Sequence, residues 1–156
     1  MRREHREMAA DWMIVLGGLT LFASLFLTWS HQFSKAFLDA FGTADQLQGV
    51  ARDATAWQVF SSMDVVLALL ALGLLGAALA GSRTVRLVAL AAAVVGLVFV
   101  LHALGTPPTN GANIFNPALS VPSFAPTGAT AGAGETVALV GLGVAIAGLG
   151  LGFTPD

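Results

Sequence analysis

The sequence predicts an all-α membrane protein, a four-transmembrane-helix bundle with two extracytoplasmic loops, and three observations carry that prediction. Hydrophobic residues occupy 56% of the chain and charged residues only 10%, with a mean hydropathy of +0.79. Soluble domains carry about 25% charged residues, so this composition cannot furnish a water-facing surface. Four runs are each apolar over the roughly 20 residues that a bilayer-spanning helix needs. The basic residues, finally, are unevenly shared among the connections. The 156 residues make one membrane domain, 1–156.

The first span is expected near 12–30, WMIVLGGLTLFASLFLTWS. Thr28-Trp29-Ser30 offers a poor small-x-small cleavage site, and a retained helix is the better reading than a signal peptide. Trp12 and Trp29 stand 17 positions apart, about 25 Å along a helix, which matches the spacing of the two interfacial aromatic belts. Trp57 is a third expected anchor.

The loop 31–61 contains HQFSKAFLDAF, in which Phe33, Phe37, Leu38 and Phe41 recur at helical spacing while Lys35 and Asp39 take the other face. This reads as a short interfacial helix lying on the leaflet and capping its own bundle, or as a surface that grips a partner or lipid.

The second span, near 62–81, follows FSSMD. Ser61 stands where an N-cap belongs and Asp64 three residues later, the Ser-x-x-acid arrangement of a capping box. A carboxylate in the first turn also meets the positive end of the helix dipole. The third span, near 86–104, follows a tight turn and ends with His102. Counted from that turn, Asp64 and His102 lie at nearly the same depth of an antiparallel hairpin, within about one helical turn. Ionisable residues in spans tend to face the interior and mark relays, so Asp64 and His102 form a candidate polar pair beside the capping role.

The loop 105–135 holds five of the six prolines and no basic residue. Proline denies it helix and central strand. Ile114, Phe115, Leu119, Val121 and Phe124 are too apolar for a free tether, so part of the loop should fold back over the helix ends. The fourth span, near 136–153, carries VGLGVAIAGLGLG. This imitates a dinucleotide fingerprint, but Ile146 takes the third glycine's place and no ribose-binding acid follows. Instead, Ala138, Gly141, Ala145, Gly148 and Gly152 form one small-residue stripe, and Gly143, Ala147 and Gly150 a second on the opposite face. Small residues let helix backbones approach closely in a bilayer. The first stripe is expected to meet Gly73, Ala77 and Gly81 of the second span or Ala92 and Gly96 of the third, leaving the second stripe as a candidate interaction face. Alternatively, the helix is wedged between two neighbours of its own chain.

Five of the seven basic residues, Arg2, Arg3, Arg6, Arg83 and Arg86, precede the first span or sit between the second and third. Short loops rich in Lys and Arg stay cytoplasmic, which places both termini in the cytoplasm and both long loops outside the plasma (inner) membrane. The absence of cysteine excludes disulfides and thiolate metal sites. His5, His31 and His102 fall in three separate places, and no nucleophile, base and acid stand together. Neither a metal nor a cofactor is expected, nor is an enzyme. With no basic cluster interleaved with aromatics, nucleic acid is not an expected partner.

Ser24, Leu25, Phe26, Leu27 and Trp29 in SLFLTW, followed after a loop by Trp57, Phe60 and Asp64 in WQVFSSMD, form a pattern over the first half of the chain. It resembles that of small, uncharacterised four-helix integral membrane proteins of high-GC actinobacteria, with Thr28 where proline is usual. The resemblance implies a topology and no activity. The expected function is an interaction or scaffold subunit of a cell-envelope complex, its partners being membrane lipids and another membrane protein or a second copy. The alternative is a transport or proton-coupled subunit using Asp64 and His102.

Overall fold

A computed structural model describes residues 3–35, 38–39, 46–47, 50–109 and 129–153. Four long helices form the bundle: α1 (Arg3–Ser24), α3 (Met63–Ala80), α4 (Arg83–Gly105) and α5 (Ala133–Leu151). All four are long and apolar enough to cross a membrane. Between α1 and α3 lie strands β1 (Thr28–His31), β2 (Gln46–Leu47), β3 (Val50–Ala51) and β4 (Asp53–Thr55) and the one-turn helix α2 (Ala56–Val59). Strand β5 (Thr130–Ala131) leads into α5.

The spans follow the hydropathy except at the first. Helix α1 begins about two turns before the apolar run and stops at Ser24, short of the expected Ser30. Its last turn tightens through hydrogen bonds from the Leu25, Phe26 and Leu27 amides to carbonyls three residues back, a common way to use up orphan carbonyls. The Ser24 hydroxyl donates to the Leu21 carbonyl at 2.6 Å, competing with the helix ladder at the point where it ends.

Helix α5 packs most extensively on α1 and also on α4, while α3 completes the ring between α1 and α4. The reason is glycine. A Cβ on Gly17 would stand 2.5 Å from the Gly141 carbonyl oxygen, and one on Gly148 would stand 2.8 Å from that of Ala10. Without side chains at these crossings the α1 and α5 backbones approach directly, supplying the dispersion contact that replaces the hydrophobic effect in lipid. The first stripe of α5 therefore meets α1, correcting the expected pairing with the second or third span. Gly73 is open, Gly96 receives Leu70 and Leu142, and Gly152 is exposed beside Arg86 rather than buried with the stripe.

The loops build a structure that the proline and loop signals did not foretell. An antiparallel sheet of order β4–β1–β5 closes the end of the bundle away from the termini. Ser30 pairs with Ala54 on one side and Ala131 on the other, and the register of β1 against β4 is irregular between Thr28 and Ser30. Strands β2 and β3 form a separate pair. Buried Gln32 ties the layers together, its amide donating to the Arg52 carbonyl at 2.8 Å and its Nε2 to the Pro108 carbonyl at 3.0 Å. The two ends of the loop 105–135 thus meet the sheet layer, through the Pro108 carbonyl and through the Gly132 amide bond to the Trp29 carbonyl; the apolar stretch expected to fold back, Ile114 to Phe124, lies outside the described residues. Of the expected interfacial helix, one turn is seen in the Leu38 amide bond to the Ser34 carbonyl, while Phe37 and Phe41 lie outside the described residues.

The His31↔Asp53 pair carries this sheet's charge. His31 Nδ1 lies 2.6 Å from Asp53 Oδ1, and Arg52 Nε donates to Asp53 Oδ2 at 3.0 Å. Partial burial works to raise the Asp53 carboxyl, but the hydrogen bonds and charges of His31 and Arg52 outweigh it and hold the group below its ordinary value of 3.8. A depressed carboxylate stabilises the fold above its unfolded pKa, and that contribution is lost as pH falls through the folded value. Thermal midpoints in detergent should accordingly decline below about pH 4, and Asp53→Asn should lower the midpoint at pH 7 while flattening the acid limb. Parallel acid limbs in the two proteins would show that the ion pair is unimportant.

Candidate functional site

Two regions collect the chemistry: the buried layer beneath the sheet, and the lipid-facing side of α5. Beneath the sheet, Trp29 is fully buried. Its indole Nε1 donates to the Ser24 carbonyl at 2.8 Å and its ring meets Phe60 edge-on at 5.4 Å. Phe60 in turn packs on Phe99 of α4 at 5.5 Å. Trp29 is therefore not an interfacial anchor. The helix that would have carried it to the bilayer surface ends five residues earlier, and the chain folds the ring inward as a plug. Trp12 is exposed, and so is Trp57, which packs on Phe26 at 5.8 Å.

Asp64 lies in the first turn of α3, with a buried side chain whose Oδ1 accepts the Val65 amide at 2.8 Å. The dipole and amide-satisfying role of the acid stands, whereas the capping box does not. The N-cap is Ser62, without a side-chain cap bond, and Ser61 lies exposed outside the helix. His102 faces outward, and its Nε2 lies 3.3 Å from the Thr106 hydroxyl, which donates to the His102 carbonyl at 2.8 Å. No hydrogen bond joins Asp64 to His102. Equal depth in a hairpin does not bring two side chains together when their helix faces differ, and here one is turned inward and the other out.

The residue that sequence reasoning passed over is Glu135. It sits in the first turn of α5, completely buried, and among the described residues neither carboxyl oxygen has a hydrogen-bond partner. The hydroxyl of Ser30, in the central strand above, is likewise buried without one. Burial of an unpaired polar group costs on the order of 1–3 kcal/mol, so Glu135 detracts from stability. An acid opening the apolar run ETVALVGLG is the available signal, hidden because Glu135 falls at the last position of the loop 105–135, one residue before the expected span. Among the described residues, no group of three His, Cys, Asp or Glu could hold a metal ion.

On α5 the second stripe points away from the bundle. Gly143 and Ala147 are exposed and Gly150 is half-buried, and a Cβ on Gly143 or Gly150 would meet nothing within 4 Å. The chain's own helices use the first stripe and leave this one open. No family model, curated protein or solved structure matches this chain. Its functional reading accordingly rests on the geometry of these two regions.

Proposed function

We propose that the chain is an interaction or scaffold subunit of a cell-envelope complex, held in the plasma (inner) membrane with both termini cytoplasmic. The observation that carries this reading is the two-sidedness of α5. One small-residue face is consumed by α1 at backbone contact, while Gly143, Ala147 and Gly150 offer a second close-approach surface, where among the described residues nothing would meet a Cβ on either glycine and Ala147 is exposed. A partner helix, from a second copy or another membrane protein, could approach there as α1 does on the other side. The sheet that roofs the opposite end supports the same role, because it fixes how the bundle is presented outside the membrane.

Leucines at Gly143 and Ala147 test the proposal. They should weaken association, measured by cross-linking in native membranes and by affinity purification in mild detergent, while the monomer inserts and keeps its thermal midpoint. Unchanged assembly, or a monomer that no longer folds, would remove this interface from consideration.

The orientation rests on Arg2, Arg3 and Arg6 at the N-terminal end and on Arg83 and Arg86 in the first turn of α4. A membrane-impermeant thiol reagent should label Ser82→Cys only in broken cells and Thr127→Cys in intact cells. The opposite pattern inverts the topology.

A further inference from the structure

At the end of the bundle that holds the termini, a cavity of about 580 Å³ opens between α1, the α3–α4 turn and the end of α5. Its walls carry Glu7 and Asp11 from α1, Arg83 and Arg86 from α4, and the helix-terminal glycines Gly81 and Gly152. Arg86 is largely withdrawn from solvent, its side chain 12% exposed, and its Nη2 donates to Asp11 Oδ1 at 2.6 Å. Its Nε is buried without a hydrogen-bond partner among the described residues. A Cβ on Gly152 would stand 2.9 Å from Arg86 Nη1, so the guanidinium lies against the end of α5.

The charges in this cavity are arranged by sign. Arg83 and Arg86 stand in the first turn of α4, whose N-cap Ser82 provides no side-chain cap. Cationic side chains and a positive helix end converge there, a setting suited to a phosphate. Helices α3 and α5 instead bring their C-terminal ends to the cavity at Gly81 and Gly152. With Glu7 and Asp11 these negative ends suit a cation. Two arginines against two carboxylates cancel formally, so the lining complements a headgroup bearing both signs rather than a bare anion.

A second cavity of about 560 Å³ shares Glu7 and Asp11 as a common wall, carries Glu4 on the same acidic rim, and runs along α1 and α3 between Met8, Trp12, Val15, Ala78 and Leu79. Trp12 is 61% exposed and Leu79 87% exposed, so this hollow faces the bilayer. A polar chamber and a groove that is apolar beyond its acidic rim, meeting at one wall, have the layout of a headgroup and an acyl chain.

We propose that this paired cavity binds one zwitterionic phospholipid carrying a primary ammonium, with its phosphate at Arg83 and Arg86, its ammonium at Glu7 and Asp11, and an acyl chain along Met8, Trp12 and Leu79. Its charged residues lie on α1 and α4, away from the open stripe of α5, and the site stands independently of the scaffold reading. It gives the bundle a lipid preference at the face that bears its termini.

Native mass spectrometry of the full-length protein in detergent tests this by titration with phosphatidylethanolamine, phosphatidylglycerol and phosphatidylcholine of identical chains. Phosphatidylethanolamine should be retained best. Arg83→Ala, at an exposed position outside the Arg86–Asp11 pair, should weaken its retention about tenfold, the worth of one charge-assisted hydrogen bond. Glu7→Gln should weaken it too and shift preference toward phosphatidylglycerol. Both variants should keep the wild-type thermal midpoint. Equal or stronger retention of phosphatidylglycerol by the wild type overturns the proposal, as does an Arg83→Ala protein that binds unchanged. Soluble phosphoethanolamine or inorganic phosphate displacing the lipid at equal concentration would also overturn it, because the source would then be a soluble anion. Should Arg83→Ala lose its midpoint, Arg83→Gln read in the same titration decides by the same criterion.

Discussion

Gly17→Ala should destabilise the bundle by about 3 kcal/mol, near the upper end of what one inserted methyl costs in a packed core. The added Cβ would fall 2.5 Å from the Gly141 carbonyl oxygen and 2.6 Å from the Ala145 amide nitrogen. Both are backbone atoms of α5, so no rotamer change relieves the clash and the two helices must separate. Gly141→Ala should behave alike, since its Cβ would meet the Leu21 amide nitrogen at 2.8 Å and the Gly17 oxygen at 2.9 Å. The comparison that gives the test its force is Gly73→Ala and Gly76→Ala, where a Cβ meets nothing within 4 Å. These should be neutral or slightly stabilising, because alanine has the better helix propensity. Thermal unfolding of all four variants in one detergent checks the contrast. Equal midpoints across the set would mean that α1 and α5 do not meet at their glycines.

Trp29→Ala should cost a further 3–5 kcal/mol in its own background, the range for truncating a buried aromatic. The ring is wholly inaccessible, lies over Gly134 of α5, stacks edge-on with Phe60 and satisfies the Ser24 carbonyl. Losing it opens a void beneath the sheet and releases the joint between α1 and β1. Trp29→Phe should recover part of the loss, since the packing survives while the indole hydrogen bond does not. Unfolding midpoints and amide exchange of β1 read the two contributions separately. A Trp29→Ala protein as stable as wild type would return this residue to the membrane interface, the place its sequence position suggested.

The fate of Trp29 shows where sequence reasoning holds and where it fails. Belt spacing between Trp12 and Trp29 presumes a continuous helix, and nothing in LFASLFLTWS marks Ser24 as its end by composition. The break comes from contacts, namely Ser24 bonding back to Leu21, Trp29 bonding back to Ser24, and β1 finding partners in β4 and β5. The second of those partners is about 100 residues away in sequence, with only two paired residues to announce it. Strands of two to four residues leave no periodicity to detect.

The small-residue stripes of α5 divide in the same way. Their existence follows from a helical period of 3.6 applied to VGLGVAIAGLG. Which stripe is spent inside the chain, and on which neighbour, depends on where the other helices place their own glycines. Gly17 of α1 meets Gly141, while Gly73 of α3 meets nothing. Asp64 and His102 teach the converse, since depth along an axis could be counted from the turn but the facing of each side chain could not.

By itself the sequence determined that this protein crosses a membrane four times as helices, and nearly where three of those crossings begin and end. Bilayer thickness and the cost of unsatisfied backbone groups in hydrocarbon act on each segment alone, so composition and length suffice. Only the tertiary structure decided that α1 pairs with α5, that the loops make a three-stranded roof, that Trp29 and Glu135 lie beneath it, and that Arg86 shares a cavity with Glu7. Those outcomes depend on surfaces from distant parts of the chain fitting together. Shape complementarity and hydrogen-bond pairing belong to pairs of segments, and no single segment encodes them.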